Sequence, residues 1–130
     1  MPAGAETILL IFTVFAVKHA IADFFLQTPY QYLNKGRYGH PGGLLHAGIH
    51  AVLSAPVFLV LAPATLLAGL SLLLAEFVIH YHIDWLKEKA NRRHAWQPDS
   101  AWFWRALGLD QLAHSLTYIV MTGALLHLAA

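Results

Sequence analysis

Four stretches of the chain are almost continuously apolar, and polar connections separate them. They cover about residues 7–26, 44–61, 65–86 and 107–128. Each is close to the roughly 20 residues that a helix needs to cross the hydrocarbon core of a bilayer. The pattern predicts an all-α polytopic membrane protein, a four-transmembrane-helix bundle that forms a single domain over residues 1–130.

The connections predict how the helices are arranged. The turn at residues 62–64, APA, is short, so the second and third helices should be antiparallel neighbours. The other two connections are longer and carry most of the basic side chains, which by the positive-inside rule makes both of them cytoplasmic loops. Both termini would then lie outside the cytoplasm. The basic side chains in question are Lys35, Arg37, Lys87, Lys89, Arg92, Arg93 and Arg105.

Composition narrows the chemistry. The chain is 58% hydrophobic and 12% charged, and its formal net charge of +1 makes a nucleic-acid partner unexpected. It has no cysteine, which excludes disulfides and thiolate ligands, and its nine histidines become the main candidates for reactive groups. The N-terminal segment lacks a basic region, so we expect the first apolar stretch to be retained as a span and not cleaved as a signal peptide.

Every predicted span carries one pair of ionisable side chains four residues apart. That spacing places both side chains of a pair on one face of a helix, one turn apart. Counted from the cytoplasmic end of each span, all four pairs fall roughly 3–12 Å deep, so they share a layer. The pairs are His19 and Asp23, His46 and His50, His80 and Asp84, and Asp110 and His114.

Such groups are costly inside a membrane and normally mark a site or a pathway. Histidine and aspartate without sulfur suit a divalent metal, with zinc favoured over iron or manganese, and eight side chains exceed what one tetrahedral ion requires. One ion or two therefore remain open. Asp23 or Asp84 would serve as ligand, as catalytic base, or as hydrogen-bond acceptor for a ligating histidine. A buried histidine–carboxylate network without metal is the simpler alternative.

Other polar residues extend this picture. Glu76 lies four residues before His80, at a depth similar to that of Lys18, so an ion pair is somewhat favoured over a role for Glu76 as ligand or general base. Three residues lie at or near the cytoplasmic mouth, where they would bind an anionic headgroup or serve only as topology and capping residues. These are Gln27, Lys35 and Arg37.

The order of these motifs resembles that of a known family. HAIADFFLQ followed by Lys35, then LLHAGIHA, HYHIDWLK and LDQLAHS, resembles over essentially the whole chain the small bacterial inner-membrane family named domain of unknown function 3307. This resemblance implies location in the bacterial inner, or cytoplasmic, membrane. A looser similarity, limited to helix-borne histidines and aspartates, extends to membrane-bound metal-dependent hydrolases and to the ceramidase and adiponectin-receptor group, which has seven spans and intramembrane zinc.

The leading hypothesis is therefore a membrane-embedded metal-dependent hydrolase that opens toward the cytoplasm and acts on a lipid or another amphiphile. Because four short helices enclose little space, a homo-oligomer is an expected partner arrangement. A di-iron membrane oxidoreductase is the alternative enzyme, since such enzymes use paired histidines like His46 and His50. A non-enzymatic metal or proton carrier, or a metal-stabilised structural subunit, is the third class, although the outer halves of the spans are too apolar for a through-path.

Overall fold

The computed structural model describes residues 4–129, and this part of the chain is all-helical without a β-strand. A 3₁₀ segment, Ala55–Leu59, continues directly from the third helix. The five α-helices are α1 (Ala5–Phe24), α2 (Pro29–Tyr32), α3 (Pro41–Ser54), α4 (Leu66–Arg93) and α5 (Ala101–Leu128).

Within residues 4–129, three segments are long and apolar enough to cross a membrane: Ala5–Phe24, Pro41–Leu59 and Leu66–Arg93. They correspond to the first three predicted spans. The fourth predicted span lies within α5, which is as long as α4 at 28 residues but is not among the three. Its middle carries several polar side chains that dilute the apolar character of the helix, namely Asp110, Gln111, His114, Ser115 and Thr117.

Local chemistry explains where the helices begin and end. Pro56 has no N–H to donate, and its ring obstructs the preceding turn, so α3 ends at Ser54 and tightens into the 3₁₀ segment. The Thr65 hydroxyl accepts a hydrogen bond from the Ala68 N–H and caps the start of α4. Ser100 caps α5 by accepting from the Trp102 N–H.

The structure differs from the prediction in both of the long connections. The basic run after residue 86 was assigned to a connection, but α4 continues through it to Arg93. KEKANRR contains neither glycine nor proline and is rich in good helix formers, so nothing in it ends the helix. The first connection also contains a short helix, α2, that the apolar pattern did not predict.

The four long helices pack in a ring, in which α1 and α4 each contact both α3 and α5. One end of this ring is filled by apolar side chains, and there the Ala64 N–H donates to the Leu128 carbonyl, so the start of α4 meets the end of α5. The polar side chains lie toward the other end. The apolar core consists of Ile11, Phe15, Val57, Leu72, Tyr118, Met121 and Leu125.

Gly42 lets α2 lie close to the start of α3. A Cβ atom at this position would collide with the Tyr30 backbone carbonyl, and backbone cannot rotate aside as a side chain can. His40 caps α3 by accepting from the Gly42 N–H, and Pro41 supplies the first helical residue. This close approach holds Gln31 of α2 beside the polar residues of α3.

Candidate metal centre

The four predicted pairs converge on one buried cluster. The His80 ring is at its centre, with ring centroids 3.8 Å from His50 and 4.1 Å from His114. His46 lies 4.6 Å from His50, and His19 lies 5.0 Å from the same ring. Imidazoles of α1, α3, α4 and α5 therefore meet in one layer, as the depth calculation predicts.

Asp23 at the end of α1 is the first of two carboxylates around which these rings gather. Its Oδ1 lies 2.9 Å from His50 Nε2 and 3.2 Å from His46 Nε2. Its Oδ2 faces the other way and lies 3.1 Å from His19 Nε2. The Asp23 side chain is 14% exposed, so one edge of the cluster reaches the surface here.

Asp84 on α4 is the second carboxylate, and it is more enclosed. Its Oδ1 lies 3.2 Å from His114 Nε2, while its Oδ2 lies 3.3 Å from His46 Nε2 and 3.4 Å from His80 Nε2. The ammonium of Lys35 reaches the same Oδ2 at 3.0 Å. His46 thus contacts both carboxylates and links the two parts of the cluster.

Among the described residues, two sets of ligand atoms are compact enough to hold a metal ion. Within each set, all the atoms lie within 4.8 Å of one another. The Asp23 group consists of Asp23, His46, His50 and His80, and the Asp84 group consists of His80, Asp84 and His114. A neutral imidazole has one free lone pair, so His80 serves one ion at a time. If His80 is counted with the Asp84 group, each group has three ligands, the number typical of a catalytic zinc site.

The buried atoms of the cluster are poorly satisfied by the protein itself. His46 Nε2 and His80 Nε2 have no hydrogen-bond partner, although carboxylate oxygens lie within 3.4 Å of both. His50 Nδ1 and Asp110 Oδ1 are also buried without a partner. Two histidines do hydrogen-bond a carboxylate, His50 to Asp23 and His114 to Asp84. Buried polar atoms are normally hydrogen-bonded, so the atoms left unsatisfied fit a shared cation better than a metal-free network.

A further set of side chains orients the histidines. Gln31 Oε1 lies 3.2 Å from His46 Nδ1, which fixes a proton on Nδ1 and leaves the Nε2 lone pair facing the carboxylates. The Tyr118 hydroxyl lies 2.9 Å from His19 Nδ1. Gln111 donates to Asp110 Oδ2 at 3.1 Å and its Oε1 lies 3.2 Å from His19 Nε2.

Sequence reasoning did not identify Gln31 or Gln111 as neighbours of the cluster. Gln111 is adjacent to Asp110. To predict its contact with His19, one would need to know how α5 is rotated against α1. Gln31 belongs to the unpredicted α2, so no periodic pattern indicated it.

Six of the eight predicted ligands belong to the two groups, and two lie at the edge. His19 is outside both groups because its two ring nitrogens face Tyr118, Gln111 and Asp23. Asp110 is also outside, with its Oδ1 3.6 Å from His114 Nε2. Both remain in contact with a member of the cluster.

Glu76 is not part of either group. It forms a buried ion pair with Lys18, whose ammonium also donates to the His50 carbonyl at 3.0 Å and lies 4.5 Å from the centre of the Tyr118 ring. This is the ion pair that the sequence analysis favoured. A carboxylate held by an ammonium in this way is a poor general base, so the contact with Lys18 favours the ion-pair alternative over a role for Glu76 as ligand or catalytic base.

The three predicted headgroup residues do not form one site. Lys35 is buried against Asp84 and is therefore turned inward, away from any headgroup at the mouth. Gln27 donates to the Asp23 carbonyl at 3.1 Å, which agrees with the capping alternative. Arg37 is exposed on the connection between α2 and α3.

One cleft reaches the cluster from the side. It lies between α1 and α5, has a volume of ≈ 380 Å³, and has apolar walls that include Phe12, Phe15 and Ile119. His19 and Tyr118 line the same cleft. The open edge of the cluster, at His19 and Asp23, therefore lies beside an apolar passage to the outer surface of the helices.

These features define a class of protein: over its described residues the chain is all-helical, with three segments long and apolar enough to cross a membrane and a buried histidine–aspartate cluster suited to a divalent metal. The chain belongs to the family described as Protein of unknown function (DUF3307), whose sequence profile matches residues 11–129. The family named from the motif order is thus confirmed. No curated protein and no solved structure gives a significant match.

Proposed function

We propose that this protein is a membrane-embedded metal-dependent hydrolase of the bacterial inner membrane that acts on a lipid or another amphiphile. In this proposal all four long helices span the bilayer, the two longer loops are cytoplasmic and both termini are outside. One observation carries it: within a cluster of histidines and aspartates compact enough to hold a metal ion, buried ligand atoms of His46, His50, His80 and Asp110 have no hydrogen-bond partner among the described residues.

The five residues of the two groups other than Asp23 are the proposed ligands, namely His46, His50, His80, Asp84 and His114, and zinc is the proposed metal. A divalent ion held there would acidify a water molecule and polarise the ester, amide or phosphoryl oxygen under attack. Gln31 would hold the His46 ring in the tautomer that leaves Nε2 free.

Asp23 is the proposed proton acceptor. Its Oδ1 faces the ligand histidines, whereas its Oδ2 faces His19 at the accessible edge of the cluster. A carboxylate placed between the ligands and the cleft can take a proton from water and pass it to His19. Asp84 is less suited to this role because Lys35 already neutralises it.

The cleft between α1 and α5 supports an amphiphilic substrate. Its apolar walls open sideways, in the direction from which an acyl chain would arrive, and it ends at His19. A through-path for a carrier is disfavoured, because the apolar core from Ile11 to Leu125 fills the other end of the helices.

The adjacency of the two ligand groups also favours a second candidate, a di-iron oxidoreductase. Two three-ligand groups that share a border at His80 would hold two iron ions as readily as two zinc ions by geometry alone. Identification of the bound metal would distinguish the two candidate functions, because iron would favour the oxidoreductase and zinc would favour the hydrolase.

The proposal is tested by the hydrolysis of a panel of fluorogenic lipid esters, amides and phosphodiesters by zinc-loaded protein in detergent. We expect turnover of at least one class and a loss of about 100-fold or more in Asp23→Asn with metal retained. Asp99→Asn, the same chemical change at an exposed position, is the control and should keep full activity. Equal turnover by Asp23→Asn and the unaltered protein would contradict the role of Asp23, and no turnover of any class would contradict the hydrolase.

A further inference from the structure

A long groove follows the seam between α4 and α5, separate from the α1–α5 cleft. It consists of two adjoining clefts of ≈ 380 and ≈ 430 Å³ that share Ala113 in their lining. On α4 the lining runs from Leu72 to Ala90, which is roughly 27 Å at the rise of an α-helix. A groove of this length is comparable to the thickness of the hydrocarbon core.

Small and apolar side chains form most of the groove. Ala75, Ala106 and Ala113 keep its floor low, while leucines and isoleucines such as Leu72 and Ile83 form its walls. Small residues along a helix seam leave room for a narrow chain without separating the helices. The shape therefore suits an extended hydrocarbon chain lying along the seam.

The groove has a positive end. Lys87 on α4 and Arg105 on α5 line it from opposite sides, beside Trp96 and Trp102. The Arg105 guanidinium lies 4.7 Å from the centre of the Trp102 ring, which holds it at this end. Lys87 contacts Glu88 at 3.0 Å, but Glu88 does not line the groove, and the two acidic lining residues are engaged elsewhere, Asp110 toward His114 and Glu76 with Lys18.

We propose that the α4–α5 groove binds an anionic phospholipid, with the phosphate between Lys87 and Arg105 and one acyl chain along the seam. Tryptophan and basic side chains at one end of an apolar surface are typical of contact with the headgroup region. Lys87 already contacts Glu88, but among the described residues no carboxylate pairs with Arg105, so an apolar protein segment in the groove would leave Arg105 unneutralised, whereas a lipid phosphate neutralises it. The inference rests on the membrane placement in the proposed function and does not depend on the metal.

The test uses detergent-purified full-length protein, stripped of metal by a chelator so that hydrolysis cannot affect the result. Native mass spectrometry would count bound phosphatidylglycerol and, separately, phosphatidylcholine with the same acyl chains. We expect preferential binding of phosphatidylglycerol, and binding about 30-fold weaker in the double variant Lys87→Gln and Arg105→Gln, since each basic residue strengthens binding of anionic lipid.

The matched control is the double variant Lys89→Gln and Arg93→Gln, which removes the same charge from exposed positions near the same end of α4. It should bind phosphatidylglycerol like the unaltered protein. A third variant, Ala113→Phe, keeps both cations but fills the point where the two clefts join, and should also weaken binding.

Three outcomes would overturn the inference. An equal loss of phosphatidylglycerol binding in the two charge variants would show a general effect of charge and would argue against a specific site. Equal binding of phosphatidylcholine and phosphatidylglycerol would remove the role of Lys87 and Arg105. A dimer mass that disappears in Ala113→Phe, without bound lipid, would assign the groove to a second copy of the chain.

Discussion

Asp23 and Asp84 have the same number of histidine neighbours, but only Asp84 also contacts a lysine. Each is approached by three histidines, and His46 contacts both. Asp84 also holds the buried ammonium of Lys35 at 3.0 Å, whereas Asp23 has no such cation and is twice as exposed, at 14% against 7%. The difference indicates that Asp84 joins the helices to the α2–α3 connection, while Asp23 is left accessible for chemistry.

Removing the Asp84 carboxylate should give the largest effect on stability. In Asp84→Asn the Lys35 ammonium remains buried without a counterion, so we expect a loss of about 3–5 kcal/mol in the free energy of unfolding. Denaturant titration of metal-free protein in detergent would measure it. Adding Lys35→Met to this variant should recover most of the loss, and no recovery would show that the ion pair is not the reason.

The same substitution at Asp23 should cost less. Asp23→Asn removes charge-assisted hydrogen bonds to histidines but strands no ammonium, so we expect a loss of about 1.5–3 kcal/mol in the same titration. A loss as large as that of Asp84→Asn would contradict the contrast between the two carboxylates. Asp99→Asn again provides the reference, because Asp99 is exposed.

A substitution at Gln31 would test whether this side chain orients the His46 ring, which links the two carboxylates. Replacing it with leucine removes the partner of His46 Nδ1 and frees the ring to rotate or change tautomer, so we expect metal affinity to fall about 10–100-fold. Competition against a fluorescent chelator would measure this. Gln97→Leu, at an exposed position, is the matched control; an unchanged affinity in Gln31→Leu would show that Gln31 does not orient His46.

The smallest expected effect concerns Lys35 and the metal. The ammonium and a cation in the Asp84 group would repel each other, so Lys35→Met should raise metal affinity roughly fivefold. The same chelator competition applies, with Lys89→Met as the control for loss of an exposed charge. A lower affinity in Lys35→Met would show that Lys35 supports the site and does not compete with the metal.

The ligand layer was predictable because it depends on local rules. Helical periodicity places residues i and i+4 on one face, and the positions of the four pairs along their spans place them at one depth. The Lys18–Glu76 pair followed from the same arithmetic. These predictions needed only the helix geometry and the order of the spans.

Other features depended on contacts between distant segments. Gln31 and Lys35 reach the cluster because the chain between α1 and α3 turns inward, and that path requires the close contact of Gly42 with the Tyr30 carbonyl. No periodic signal encodes such a path. The helix-forming residues after residue 86 predict that α4 extends to Arg93, but the high charge of this segment is also typical of a loop.

Metal content per chain tests the central claim most directly. Plasma mass spectrometry on protein purified without chelator should find one or two zinc ions per chain. The double variant His46→Ala and His50→Ala should lose this metal, while His82→Ala, a histidine that faces Tyr38 outside the cluster, should keep it. No metal in the unaltered protein, or equal metal in all three proteins, would contradict the metal centre and leave a buried histidine–aspartate network with a structural or proton-handling role.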